Sequence, residues 1–118
     1  MYGLPEGIDL TFFAHKMLIQ VCIGAHDLIL NFEGGINISI ASCIEMASPT
    51  VPSRRYEDFR QASSALVALI TRSVASAARE DAGTLTLLFE GGERVSVFDD
   101  STQYESYTIR HGEELIVV

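Results

Sequence analysis

The pattern of apolar and polar residues predicts an α+β fold that is mainly antiparallel β. Two tandem units, each a short helix followed by a three-strand meander, are expected to be related by a pseudo-twofold axis and followed by a C-terminal β-hairpin. Three observations predict this. The segment Leu28–Ile40 recurs as Leu85–Val97, a Gly-Gly pair stands at the centre of each copy, and an apolar, helix-compatible stretch precedes each. At 118 residues with 47% hydrophobic and 20% charged residues, the chain has the size and composition of one domain with a real core.

The repeat carries most of the prediction. The two copies align at a constant offset of 57, from Phe32 to Phe89 and from Ile40 to Val97. Alternation of period two places Leu28, Leu30, Phe32, Ile36, Ile38 and Ile40 on one face of a pair of strands. Leu85, Leu87, Phe89, Val95 and Val97 form the matching set in the second copy. Phe32-Glu33-Gly34-Gly35 and Phe89-Glu90-Gly91-Gly92 supply the glycines that a tight hairpin turn needs where φ is positive.

A further strand is expected upstream of each hairpin, over Leu18–Ile23 and over Ser73–Glu80. The alanines of the second are equally compatible with helix, and the repeat is what favours strand there. A short helix over Phe12–Met17, capped by Asp9 or Thr11, is expected to open the first unit. A longer helix over Tyr56–Ile70, capped by Ser53 and carrying Phe59, Leu66, Leu69 and Ile70 on one face, is expected to open the second. The repeat so read spans about 9–46 and 57–99 within a single domain of residues 1–118, with a loop at Ala47–Ser53 between the units. A last hairpin, over 104–118, turns at His111-Gly112-Glu113, and its apolar final strand is expected either inside the sheet or at an edge that pairs with a second copy.

Several functions are excluded or disfavoured. The net charge of −8, from eight Lys and Arg against sixteen Asp and Glu, argues against nucleic acid, whose backbone is held by clustered cations. No apolar run approaches the roughly 20 residues of a membrane helix, and the first residues lack the basic start and apolar run of a signal peptide, so a cytoplasmic chain with no membrane contact is expected. His15, His26 and His111 lack metal-motif spacing, and no metal or other cofactor is expected. Cys22 and Cys43 read as buried reduced thiols. The Gly pairs lie between strands, where they serve turns; a phosphate-binding loop joins a strand to a helix N-terminus.

The polar residues concentrate near the end of the chain. Asp99, Asp100, Tyr104, Glu105, Tyr107, Arg110 and His111 form the candidate binding set, able to hold an anion or a peptide carboxylate through Arg110. The alternative is an exposed sheet face held by cross-strand pairs. No catalytic residue is assigned. The run from Phe98 to Gly112, including Tyr-Glu-Ser-Tyr-Thr-Ile-Arg-His-Gly at 104–112, together with Phe89-Glu90-Gly91-Gly92, resembles a small bacterial family without an assigned function. The resemblance implies a bacterial origin and carries over no active-site residue.

Two functions from different classes follow. The first is a non-catalytic interaction module that binds a protein partner, or a second copy through its C-terminal strand; one concrete form is an immunity- or antitoxin-like chain that masks a basic toxin. The rival is a small-ligand or enzymatic domain, which requires Asp99 and Asp100 to converge with Tyr104, Arg110 and His111. Function is expected where the copies differ, because after Val97 the second copy continues into Asp99–His111 while the first runs into the 47–53 loop.

Overall fold

The computed structural model describes residues 3–100 and 105–118. In chain order its strands are β1 (Leu18–Ile23), β2 (Leu28–Phe32), β3 (Ile36–Ile40), β4 (Ile44–Ala47), β5 (Arg54–Tyr56), β6 (Val74–Arg79), β7 (Leu85–Phe89), β8 (Arg94–Val97), β9 (Tyr107–His111) and β10 (Glu114–Val117). They form two antiparallel five-stranded sheets, of order β1-β2-β3-β9-β10 and β5-β4-β8-β7-β6. Both meanders stand as expected. The residues assigned inward by alternation are all buried, Phe32 at 3% exposure being the most open of them.

The connection after each meander departs from expectation. The first unit does not end in a loop after Ile40; it continues into the β4–β5 hairpin, which pairs with β8 of the second meander. The hairpin that follows the second meander, β9–β10, pairs in turn with β3 of the first. The two crossing connections touch: the Ala41 N–H donates to the Ser106 carbonyl at 2.8 Å, and the Phe98 N–H donates to the Cys43 carbonyl at 3.2 Å. The hairpin was missed because Ile44–Ala47 and Arg54–Tyr56 are too short to show a period, and β5 is polar. β10 lies at a sheet edge rather than inside the sheet.

Strand register repeats between the units. Leu28 pairs with Ile40 and Leu30 with Ile38, as Leu85 pairs with Val97 and Leu87 with Val95. β1 shifts register between Leu18 and Gln20, and β6 between Val74 and Ser76. The two sheets meet at an antiparallel bridge between Met17 and Ser73. Around it the His15 N–H donates to Val74 and the Thr71 N–H to Leu18, each at 2.8 Å; Leu18 donates to Arg72 and Val74 to Lys16, each at 2.9 Å. Every partner in one bond of each pair lies 56 positions from its counterpart in the other. His15 (φ 66°) and Thr71 (φ 80°), the described non-glycine residues with positive φ, occupy the same place in the two units.

The helices are shorter than the sequence suggests. Phe12–Met17 is a 3-10 turn over Thr11–Phe13 followed by the left-handed His15. The stretch expected as one helix over 56–70 begins with β5, and a 3-10 turn (Phe59–Ala62) then leads into a single α-helix, α1 (Ser63–Val67). Asp58, rather than Ser53, caps the turn, accepting from the Arg60 N–H at 3.1 Å. The apolar face was read correctly: Phe59, Leu66 and Leu69 are buried, and Ile70 is half-buried. Pairing of Tyr56 with Ile44 and the positive φ of Thr71 cut the helix at both ends. Alanine-rich β6 is a strand because β7 offers it a full ladder, which outweighs a weak helix preference.

Cys22 and Cys43 are free thiols and half-buried. Both inner sheet faces belong to one buried apolar cluster. None of the described helices is long and apolar enough to cross a membrane.

The exchange of hairpins makes a concrete prediction. A protease site placed at the exposed Thr50-Val51 bond and then cut leaves 1–50 and 51–118 bound together, because β4 of the first fragment lies between β5 and β8 of the second, and β9 of the second pairs with β3 of the first. Co-elution in native gel filtration with unchanged far-UV circular dichroism is expected. Separation without denaturant contradicts the topology.

Candidate functional site

The Asp99–His111 segment divides into two groups. At the start of β9, Asp99 accepts from the Ser106 hydroxyl at 2.7 Å, and Asp100 pairs with Arg55 at 2.5 Å. The Arg55 guanidinium also lies over the Phe98 ring, 4.5 Å from its centroid. Burial, and then Asp100, pushes the nearby Cys43 thiol up, so this cysteine is held as the unreactive neutral form. Tyr107 faces the core at 1% exposure, and its hydroxyl donates to the Gly83 carbonyl at 2.8 Å. Its phenol is pushed well above its ordinary value by burial first and then by Asp99 and Asp81. A polar depression of about 470 Å³ opens beside this group, between Asp81, Thr84, Asp99 and Arg55.

At the other end of β9, Arg110 is exposed on the outer face, across from Asn37 and Leu115. His111 is half-buried and stacked on Phe12, with ring centroids 4.1 Å apart and planes 10° from parallel. Four residues of strand separate Ser106 from Arg110, roughly 13 Å at 3.3 Å per residue. Arg110 and His111 also leave the strand on opposite faces. Glu105 is exposed, and Tyr104 lies outside the described residues. The described members of the set therefore do not converge on one pocket. Asp99, Asp100 and Tyr107 have structural partners instead.

A second place is concave and apolar. A groove of about 620 Å³ runs between the β4–β5 hairpin, its connecting loop, and the end of α1. The buried Met46 and Leu69 and the half-buried Tyr56 line it together with the exposed Val51, Pro52, Ala65 and Ala68. Its volume lies within the roughly 300–1,000 Å³ usual for binding pockets. Three charged side chains stand around it: Arg54, Arg72 and Glu93. The Arg54 guanidinium lies 4.9 Å from the centroid of the Tyr56 ring. Arg72 reaches Glu93 only loosely, at 3.9 Å, and the buried Oε1 of Glu93 has no hydrogen-bond partner among the described residues. Pro49 anchors the loop by packing on the Gly92 turn, where an added Cβ would lie 2.7 Å from the proline ring.

The corresponding place in the other sheet is occupied by the chain's own rings. Ile109 pairs with Ile38 as Met46 pairs with Val95, so the residue two beyond each, His111 and Ser48, correspond. Phe13 accepts from Lys16 and donates to Leu10 as Leu69 accepts from Arg72 and donates to Leu66, so Phe12 corresponds to Ala68. The Phe12–His111 stack thus stands where the second sheet has Ala68, Ser48 and open space. Sequence reading missed the groove because its walls come from α1 and from a hairpin that showed no period. The repeat as read, at an offset of 57, sets Phe12 against Leu69, whereas the backbone bonds set it against Ala68.

The profile of a family of unknown function (DUF6188) matches residues 13–118. No curated protein and no solved structure matches the chain.

The buried phenol gives a pH prediction. Because the folded-state pKa of Tyr107 is raised, its contribution to stability is full below the ordinary tyrosine value near 10 and is lost as pH rises from there through the folded value. Tyr107→Phe should cost about 1–2 kcal/mol at pH 7, since it leaves the Gly83 carbonyl without its donor. Urea unfolding across pH 7–11 should show this gap closing above pH 10; a gap that stays constant would place the phenol in water.

Proposed function

The chain belongs to the family of unknown function DUF6188, and we propose that it is a non-catalytic binding module whose working surface is the groove beside α1. In this reading two units related by a pseudo-twofold axis form one scaffold, and only the second unit keeps its binding site open. The occupant is an exposed apolar segment of a protein partner.

The observation that carries the reading is the contrast between the two equivalent places. The first is filled by Phe12 stacked on His111; the second is lined by Ala68 and leaves about 620 Å³ open. An apolar groove forgoes the burial that a filling side chain would bring, worth about 1.5–3 kcal/mol for a Phe. A bound segment restores that burial. The recurring registers and the paired bonds around Met17 and Ser73 support the pseudo-twofold relation. The structural engagement of Asp99, Asp100 and Tyr107 speaks against an enzymatic use of the C-terminal segment.

Ala68→Phe should fill the groove as Phe12 fills its counterpart, and the exposed position of Ala68 gives the ring room. Used as bait in extracts of the native host, the unmodified chain should retain a stoichiometric partner, and Ala68→Phe should lose at least about tenfold in affinity for it, which is some 1.4 kcal/mol. Retention of the partner by Ala68→Phe, with its native circular dichroism intact, refutes the groove as the working surface.

A further inference from the structure

We infer that the groove recognises an aromatic side chain with a carboxylate beside it on the partner segment, an inference that rests on the groove being the working surface. Two independent features lead to it, the shape of the vacancy and the charge around its mouth.

The shape follows from what fills the counterpart. In the first sheet the place is taken by two stacked rings, Phe12 and His111, in near-parallel contact. In the second sheet both rings are missing, replaced by Ala68 and Ser48, and the walls that would flank them remain. The depth of the groove offers Met46 and Leu69 as apolar faces for a flat ring, with the Tyr56 ring beside them. A flat ring matches the rings that fill the counterpart, and a branched aliphatic side chain does not.

The charge follows from what surrounds that gap. At positions where the first sheet has Ile116 and Ile36, the second has Arg54 and Glu93; Ile116 and Arg54 stand opposite Ile109 and Met46, and Ile36 and Glu93 are the residues two before Ile38 and Val95. Apolar residues have given way to charged ones around an apolar hollow. In a chain of net charge −8, two of the eight cations lie on this groove. Arg55 is engaged with Asp100, Arg60 with Asp58, and Arg79 with the Leu4 carbonyl, whereas the exposed Arg94 and Arg110 lie away from the groove. Arg54 has no ion pair among the described residues, and Arg72 is 3.9 Å from Glu93, beyond the 2.7–2.9 Å of a charge-assisted hydrogen bond. Arg54 and Arg72 both line the groove with Glu93 as the acid among its lining residues, so the lining carries a net positive charge that favours an anion. A carboxylate borne next to the aromatic residue, as in Phe-Asp or Phe-Glu, reaches them while the ring lies in the groove.

The experiment compares three labelled peptides by fluorescence polarisation at low and physiological salt: Gly-Ser-Phe-Asp-Gly-Ser, the same peptide with Leu for Phe, and the same peptide with Asn for Asp. The Phe-Asp peptide should bind the unmodified chain tightest. Replacement of Phe by Leu, and of Asp by Asn, should each weaken binding by about 3–10-fold. The Asp-to-Asn difference should disappear in the Arg54→Gln/Arg72→Gln double variant, while the Phe-to-Leu difference persists. Ala68→Phe should abolish binding of all three. If that variant fails to fold, Ala65→Leu, which enters the groove from one helical turn earlier, serves instead.

Equal binding of the three peptides, or binding of none while Ala68→Phe still releases the native partner, overturns the aromatic-carboxylate inference and leaves the groove as the working surface. Native partner retained by Ala68→Phe overturns the groove reading itself. A homodimer in sedimentation that dissociates in Ala68→Phe overturns the inference too, since the groove would then hold a second copy of this chain.

Discussion

The fold depends on one constraint, the free edge of each meander. β3 and β8 each end a three-strand sheet whose outer backbone groups need a partner, and an unpaired edge of that kind is an invitation to aggregation. In both cases the partner is supplied by the hairpin of the opposite unit. Neither unit therefore completes a sheet from its own strands. The Met17–Ser73 bridge ties the other side of the structure, so the two sheets are held together by backbone pairing as well as by their shared apolar core. The left-handed His15 and Thr71 belong to this joint: each places its N–H on the opposite unit at the cost of about 1–2 kcal/mol in local strain.

The same exchange makes the groove a composite. Met46, Tyr56 and Arg54 arrive from the hairpin that follows the first meander, while Leu69, Ala68 and Arg72 come from the segment that opens the second unit. A site of this kind cannot exist in an isolated unit. It also sits on ordered elements, with the connecting loop pinned by Pro49 on the Gly92 turn. Arg54 stacked on Tyr56 shows how the hairpin aims a charge at the mouth: β5 is paired along one side only, and its side chains are free to project past the sheet.

What could be read in the sequence followed the strength of the local signal. Leu28–Ile40 and Leu85–Val97 alternate without interruption around glycine turns, and their faces, strands and register were all legible. The turns differ in one detail that the shared motif concealed. Gly34 and Gly35 both take positive φ, whereas in the second copy only Gly92 does. The helix over 56–70 was overextended because Phe59, Leu66 and Leu69 keep a helical period through a stretch that is interrupted for tertiary reasons, by β5 at one end and Thr71 at the other. Tyr107 looked like a polar surface residue, since a phenol has a polar tip; its register opposite Ile40 sends it into the core. The polar tail attracted attention because its residue types carry chemistry. Their placement at opposite ends and faces of β9 is a property of the strand, which composition does not encode.

The two copies differ, but the difference lies elsewhere than in the tail. Both meanders continue into a hairpin, so the tail is the counterpart of β4–β5 and serves the same structural purpose. The two halves differ in what each hairpin is packed against. On the β9–β10 hairpin Phe12 stacks on His111, and Ile36 and Ile116 hold the neighbouring register positions. Over β4–β5 lie Ala68 and Ser48, with Glu93 and Arg54 in the places of the isoleucines. Loss of a single ring would read as a packing defect. Loss of both rings, together with a change from two isoleucines to one acid and one arginine around the same hollow, changes shape and charge in one place, and the arginine is left without an ion pair among the described residues. An unfilled apolar groove forgoes burial, and the exposed Arg54 beside it is solvated and can meet an anion at little cost. In the proposed reading, a ligand's ring restores the burial and its anion meets the arginine.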